Sequence, residues 1–352
     1  MDNLERFTGC MLGGATGDAL GYIIEFDDLK TIHKKYGPYG LRTILKLESN
    51  GRKGVISDDT QMSLFTADGL LWADHDDVKP REGIYRSYMR WYYTQTDRII
   101  KPEQMGWMKQ QDHEKNWGYD MMGDSDLFVR RAPGRTCLTA LASGHCYDTE
   151  HSANDSKGSS SVMRAAPVGL FYAGDPEKAF EVGCQSGSLT HGNPVAWLSS
   201  GTMSAIISIL AEGKEIGGAL SGALRILQEH EGSAGLLKTV LRAVDEAVTD
   251  RNPVRSMKKI GPGWAADEAI ALAVYCVLKT SSIKDAVIMA CNQDGDSDTC
   301  GAICGNITGT MYGSKTIPKS WLNHLECKDL LEKMAQCMHD KAAPGKIEVV
   351  QN

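Results

Sequence analysis

The sequence predicts an all-α protein, and three observations carry that prediction. Apolar residues recur at three- and four-residue spacings in runs such as 196–211, 218–228, 236–248 and 266–278. Strict period-two alternation, the signature of half-buried strands, is hard to find anywhere along the chain. Small residues border or interrupt the runs, as at Gly217, Gly218 and Gly222 or at Gly301, Ala302, Gly305 and Gly309, and each missing side chain lets a neighbouring backbone approach. A compact globule of many helices is expected.

The 352 residues are 42% hydrophobic and 24% charged, which leaves room for a large core and excludes a disordered or fibrous chain. No Pro-, Ser- or charge-rich linker divides the chain, so residues 1–352 are read as one domain and as a monomer. A net charge of −7 without a basic tract argues against a nucleic-acid partner. The first residues, Met1-Asp2-Asn3-Leu4-Glu5-Arg6, carry neither a basic nor an apolar leader region. No later stretch offers about 20 uninterrupted apolar residues, so a cytoplasmic protein without a membrane partner is expected. The ten cysteines are scattered, contain no CxxC pair and read as reduced core thiols; Cys300 and Cys304 share one helical face. The polar stretch 143–161 holds too many Gly, Ser, Asn and Asp for a helix and reads as a functional loop.

Two acidic clusters sit in small, uncharged settings instead of on a solvated helix face. In Ser57-Asp58-Asp59-Thr60 the serine is a natural N-cap, and both aspartates fall in the first turn of the helix that follows. In Asp294-Gly295-Asp296-Ser297-Asp298-Thr299 alternating aspartates repel one another, a repulsion that a bound cation would offset. Alone, each cluster could be no more than a helix cap. Together, Asp58, Asp59, Asp296 and Asp298 supply four negative charges, which two divalent ions would neutralise, and the hydroxyls of Ser57 and Thr299 add neutral oxygens. A donor set without His or Cys suits Mg²⁺ or Mn²⁺ and disfavours zinc. Adjacent helical residues diverge by roughly 100°, so Asp58 and Asp59 are better placed to reach two ions than to chelate one. Asp294 falls outside the set.

The chain resembles the ADP-ribosylglycohydrolase family between Gly9 and about Leu331. The resemblance rests on GCMLGGATGDALGYIIEF (9–26), SDDTQM (57–62), RRAPGRTCLTAL (130–141), NDSKGSSSVMRAAPVGL (154–170), SLTHGNP (188–194), GPGWAADEA (261–269) and GDSDTCGAICGN (295–306). It implies an all-α fold with two Mg²⁺ ions, or Mn²⁺, in a cleft for ADP-ribose. Ser57, Asp58, Asp59, Asp296, Asp298 and Thr299 match the family's metal ligands, and Asp59 is carried with Glu25 as a catalytic residue. Glu25 matches an acidic residue near the scissile ribose, where it would position water, act in acid/base chemistry or gate the metals.

The resemblance also assigns ligand contacts. The loop Gly158, Ser159, Ser160, Ser161, Val162, Met163 would offer amides to the diphosphate, with Lys157 or Arg164 adding positive charge; Arg164 serves equally well as a structural ion-pair partner. His191 matches a family histidine near the ligand. Trp264 falls where members place an apolar or aromatic side chain against adenine, and also reads as a core tryptophan. Three departures from the family pattern are the serines at 159–161 in place of glycines, Gln293 in place of a histidine, and Ala132-Pro133-Gly134 without the aspartate of the nitrogenase-regulating branch.

The implied activity is metal-dependent removal of ADP-ribose from modified protein side chains, foremost the N-glycosidic link to arginine. Serine-linked or free ADP-ribose derivatives are alternative substrates, and nucleotide phosphohydrolysis is a further enzymatic reading. An immunity protein that neutralises an ADP-ribosylating toxin partly by occupying it is the non-enzymatic alternative.

Overall fold

The computed structural model describes residues 1–46, 54–96, 106–249 and 252–342, and the domain reading over 1–352 therefore includes stretches outside the described residues. Seventeen α-helices and no β-strand occur among the described residues, as the spacing predicts. The four apolar runs become Pro194–Ala211, Ile216–Gln228, Ala234–Val248 and Ala266–Lys279. Three of them start two residues before their apolar pattern and the fourth ends one residue after it, because the terminal turns of a helix need no apolar side chain. Pro194–Ala211, for example, begins with proline at its first position behind Asn193, whose side chain accepts from the Val195 amide at 3.0 Å. This helix is long and apolar enough to cross a membrane, but 78% of it is buried within the protein. Its all-round apolarity is that of a central core helix.

Glycines bring two helices together backbone to backbone. The first helix, Asn3–Gly21, runs antiparallel to Ser297–Tyr312, with Gly9, Gly13, Gly17 and Gly21 facing the backbones of Gly309, Gly305, Gly301 and Ser297. A Cβ added at Gly17 would lie 2.0 Å from the Gly301 carbonyl oxygen. No side chain fits there, and the four-residue repeat of glycine is the sequence trace of that contact. Antiparallel packing brings the C-terminal end of the first helix, with Asp18 and Glu25, to the N-terminal end of the other, with Asp296 and Asp298. Residues from the two ends of the chain thus build one site.

No disulfide links any of the ten cysteines, and only Cys146 is exposed; Cys300 and Cys304 are both buried in Ser297–Tyr312. The 143–158 stretch is irregular and ends in a single short 3₁₀ turn, Ser159–Ser161.

Candidate active site: an acidic floor with an aromatic rim

The helix Asp58–His75 starts at Ser57, whose hydroxyl accepts from the Asp59 amide at 3.1 Å. Its first turn is fixed from two sides. Asp18 on the first helix accepts from the amides of Ser57 (3.0 Å to each oxygen) and Thr60 (3.1 Å), and from the Thr60 hydroxyl. Opposite, the Arg131 carbonyl accepts from the Asp58 amide at 3.0 Å. The Arg131 side chain pairs with buried Glu326 at 3.2 Å, and Glu326 also accepts from the Ile56 amide at 3.3 Å. Asp296 caps the Ser297–Tyr312 helix; its amide donates to the Pro262 carbonyl at 2.9 Å and its carboxylate accepts from Ser159 Oγ at 2.6 Å.

These elements gather Ser57, Asp58, Asp59, Asp296, Asp298 and Thr299, all buried, with Glu25 beside them. The Thr299 hydroxyl lies between Asp59 and Asp296 and can donate its one proton to either. Burial, then repulsion from Asp296, Asp58 and Asp18, pushes the Glu25 carboxyl up to about 8. Burial acts likewise on Asp58, at about 8, and on Asp18, held to about 6 by its donors. Asp59 and Asp298 are raised well above the usual range by burial and then by the neighbouring carboxylates. No cation pairs with Asp58, Asp59, Asp296 or Asp298 among the described residues, and Asp59 Oδ1 and Glu25 Oε2 are buried without a hydrogen-bond partner. Buried carboxylates without donors are costly. Hard divalent cations would satisfy them, so this all-oxygen set fits Mg²⁺ or Mn²⁺. Among the described residues only Asp124, Asp126 and Cys327 bring three ligating atoms within 4.8 Å of one another. The charge of the acidic floor is therefore spread along it instead of gathered at one chelating point.

The remaining predicted residues divide. The backbone from Lys157 to Ser159 pairs with that from Trp264 to Ala266, through Ser159 N to Trp264 O at 3.0 Å and Ala266 N to Lys157 O at 2.9 Å. The amides of Gly158, Ser159, Ser161 and Met163 are taken by partners within the fold, which leaves less for a diphosphate than a run of free amides would. Ser161 turns its hydroxyl inward to Gly158 O and Ala196 O, and Met163 packs in the core. Ser160 Oγ sits against Gly134, and Lys157 is exposed. His191 is buried with Nε2 unpartnered, near Gly158. Arg164 is neither an ion-pair partner among the described residues nor accessible, being wholly buried against Thr190, Cys137 and the Tyr88 ring. Trp264 is not core: it is 45% exposed and lies parallel to Phe26, 80% exposed, with ring centroids 6.3 Å apart. Gln293 is buried beside Cys300. Asp294 stands apart from the floor, accepting from the Leu29 amide at 2.7 Å and pairing with Lys258 at 3.0 Å, at the edge of an adjoining cleft of about 390 Å³.

Residues 1–346 match the family model described as ADP-ribosylglycohydrolase. The chain belongs to the ADP-ribosylglycohydrolase family. It is 23% identical over 343 residues to the ADP-ribosylarginine hydrolase Tri1 of Serratia proteamaculans, covering 95% of this chain and 79% of that protein. It is 24% identical to the ADP-ribosylhydrolase ARH3 of Mus musculus, covering 96% and 92%. A solved ADP-ribosylglycohydrolase-related protein complex superposes with a TM-score of 0.68 at 20% identity, over 97% of this chain and 99% of that one, which shows the fold. As a hydrolase of the ADP-ribosylglycohydrolase family, the protein has its acidic motifs on one floor, although they lie more than 230 residues apart in sequence.

Reading the residues without the fold missed Asp18, Phe26 and the Arg131–Glu326 pair. Asp18 had a signal: an aspartate among Gly17, Ala19 and Leu20 inside an apolar helix has no local partner and must find one elsewhere. Phe26 had the weaker signal of adjacency to Glu25. Glu326 had none, since its partners are remote in sequence.

Proposed function

We propose that this hydrolase releases ADP-ribose from ADP-ribosylated arginine in proteins, with two Mg²⁺ or Mn²⁺ ions on the acidic floor. The observation that carries the reading is a buried set of carboxylates that meets no cation among the described residues, bordered by Glu25 with a free buried oxygen. Ser57, Asp58, Asp59, Asp296, Asp298 and Thr299 would hold the ions, which when bound would orient the ribose hydroxyls and offset the floor's charge. Glu25 Oε2 then orients a water and takes its proton as the water oxygen attacks the anomeric carbon. The carbon–nitrogen bond breaks, its electron pair goes to the guanidine nitrogen, and that nitrogen takes up the proton that Glu25 removed from the water, which returns Glu25 to its carboxylate. The cationic guanidinium of the leaving side chain is favoured beside the Glu25 carboxylate. Phe26 and Trp264 give the mouth two parallel aromatic faces on which a planar group can stack. The arginine hydrolase named among the relatives supports this linkage.

The test is incubation with matched ADP-ribosyl-arginine and ADP-ribosyl-serine peptides, with and without Mg²⁺, and mass analysis of the products. Free ADP-ribose from the arginine peptide only when the ion is present is the expected result. A higher kcat/KM on the serine peptide would overturn the linkage, and full turnover in metal-free protein would overturn the ions.

A further inference from the structure

Arg164 is a buried cation whose guanidinium meets no carboxylate among the described residues. It lies 4.6 Å from the centroid of the Tyr88 ring and reaches Met62 Sδ and Cys137 Sγ at 3.3 Å each, Ser186 O at 3.3 Å and Thr190 Oγ1 at 2.6 Å. Leaving such a charge without a counter-ion is unfavourable, so its contacts need an explanation. The shortest of them supplies one.

A guanidinium only donates, so Thr190 Oγ1 accepts from Arg164. The same oxygen also accepts from Cys137 Sγ at 3.9 Å. Its own proton is left for one acceptor, His191 Nδ1 at 2.8 Å. Nδ1 therefore carries no proton, and the neutral ring carries its proton on Nε2. Nε2 is buried without a partner, and a Cβ added at Gly158 would lie 3.2 Å from it, so its N–H lies beside the start of the 158–161 loop. Burial, then the charge of Arg164, holds the His191 ring well below the usual histidine range, which keeps it neutral.

We propose that Arg164 and Thr190 are positioning residues that lock His191 as the Nε2–H tautomer and so present one neutral, pre-aimed donor to an oxygen of the bound ligand beside Gly158. The ligand is the ADP-ribosyl group, and this part rests on the proposed function; the tautomer does not. A neutral donor discriminates where a cation does not. It holds its orientation without attracting the phosphates of unrelated nucleotides.

The experiment is long-range ¹H–¹⁵N correlation of the histidine rings in the labelled full-length, ligand-free protein, with His191 assigned by the signals lost in His191→Gln. Wild type should show Nε2–H. Thr190→Val should shift His191 toward the Nδ1–H form and weaken binding of free ADP-ribose by about tenfold in calorimetry, the loss of roughly one hydrogen bond. Thr190→Ser should restore both. A proton on Nδ1 in the wild type overturns the proposal, as does a Thr190→Val protein that keeps both tautomer and affinity. If Thr190→Val fails to fold, Thr190→Ala carries the same comparison. Absence of ADP-ribose binding to the wild type would sink the substrate reading, while the ring spectra would still decide the lock.

Discussion

Two sets of buried carboxylates in this molecule differ in one respect. In the structural cluster, Asp68 accepts from Arg90 at 3.2 Å, His113 at 2.8 Å and Tyr119 at 3.0 Å, and Glu114 takes Arg90 at 2.9 and 3.0 Å. Although burial pushes the Asp68 carboxyl up, Arg90 and His113 hold it below the usual range, while Glu114 stays raised by burial and by the Asp68 charge even with Arg90 beside it. On the acidic floor burial acts without such a cation, and Asp58, Asp59, Asp298 and Glu25 are all raised. Equal burial thus says nothing about function. What separates the two sets is whether the protein supplies the counter-charge itself or leaves it to be bound.

The largest expected effect is on turnover. Loss of a supporting residue at a metal site costs about 10- to 100-fold, so Asp59→Ala and Asp298→Ala, which remove proposed ligands, should lose more than about 100-fold in kcat. The same variants should unfold in metal-free buffer at or above the wild-type Tm, since each removes a repelled charge. Near-normal turnover in either folded variant would refute the floor as the reactive centre. Asp68→Ala reverses the pattern: Arg90 keeps Glu114, but the buried Tyr119 hydroxyl and His113 ring lose their carboxylate partner, which should cost about 1–3 kcal/mol of stability for each group left unpaired in chemical denaturation, with kcat of the surviving folded fraction little changed. A kcat loss larger than the folded fraction explains would break the distinction between the two sets.

The next effect is on pH and stability together. Glu25 and Asp58 are raised to about 8 from their ordinary values of 4.5 and 3.8, so between about pH 4 and pH 8 the folded state binds more protons than the unfolded chain. Stability from this source is present below the unfolded pKa values and is lost as pH rises through the folded ones. The Tm of metal-free protein should fall from pH 5 to pH 8. Mg²⁺ at about 100 times its Kd should restore about 2.7 kcal/mol and flatten the slope, which differential scanning calorimetry measures. A metal-free Tm that rises over this range would contradict the unpaired floor. The smallest effect is at Asp294→Asn. The amide oxygen keeps the Leu29 bond and only the pair with exposed Lys258 is lost. Stability should change by less than about 1 kcal/mol and turnover hardly at all.

The helical class was legible because a buried helix face needs apolar residues every three or four positions, and those repeats survive in the linear sequence. The two acidic clusters were legible because each is local, capped by its own Ser57 or opening its own helix at Asp296. Their supports were not. Asp18 is bound to Ser57 and Thr60 across about forty residues, and Glu326 to Arg131 across 195. Only the folded backbone reveals pairings of that span. Arg164 was ambiguous for a related reason: a sequence shows a charge but not whether a counter-ion reaches it.

The antiparallel contact between Asn3–Gly21 and Ser297–Tyr312 also sets an order of events during synthesis. A ribosome releases the chain from its first residue, so the glycine-lined face of the opening helix must wait for a partner almost three hundred residues later. Closing so long a loop is slow, and helix against bare backbone offers no earlier substitute. The floor cannot assemble on a partial chain. The floor, and with it any chemistry carried out there, therefore arrives late, only after Ser297–Tyr312 has left the exit tunnel.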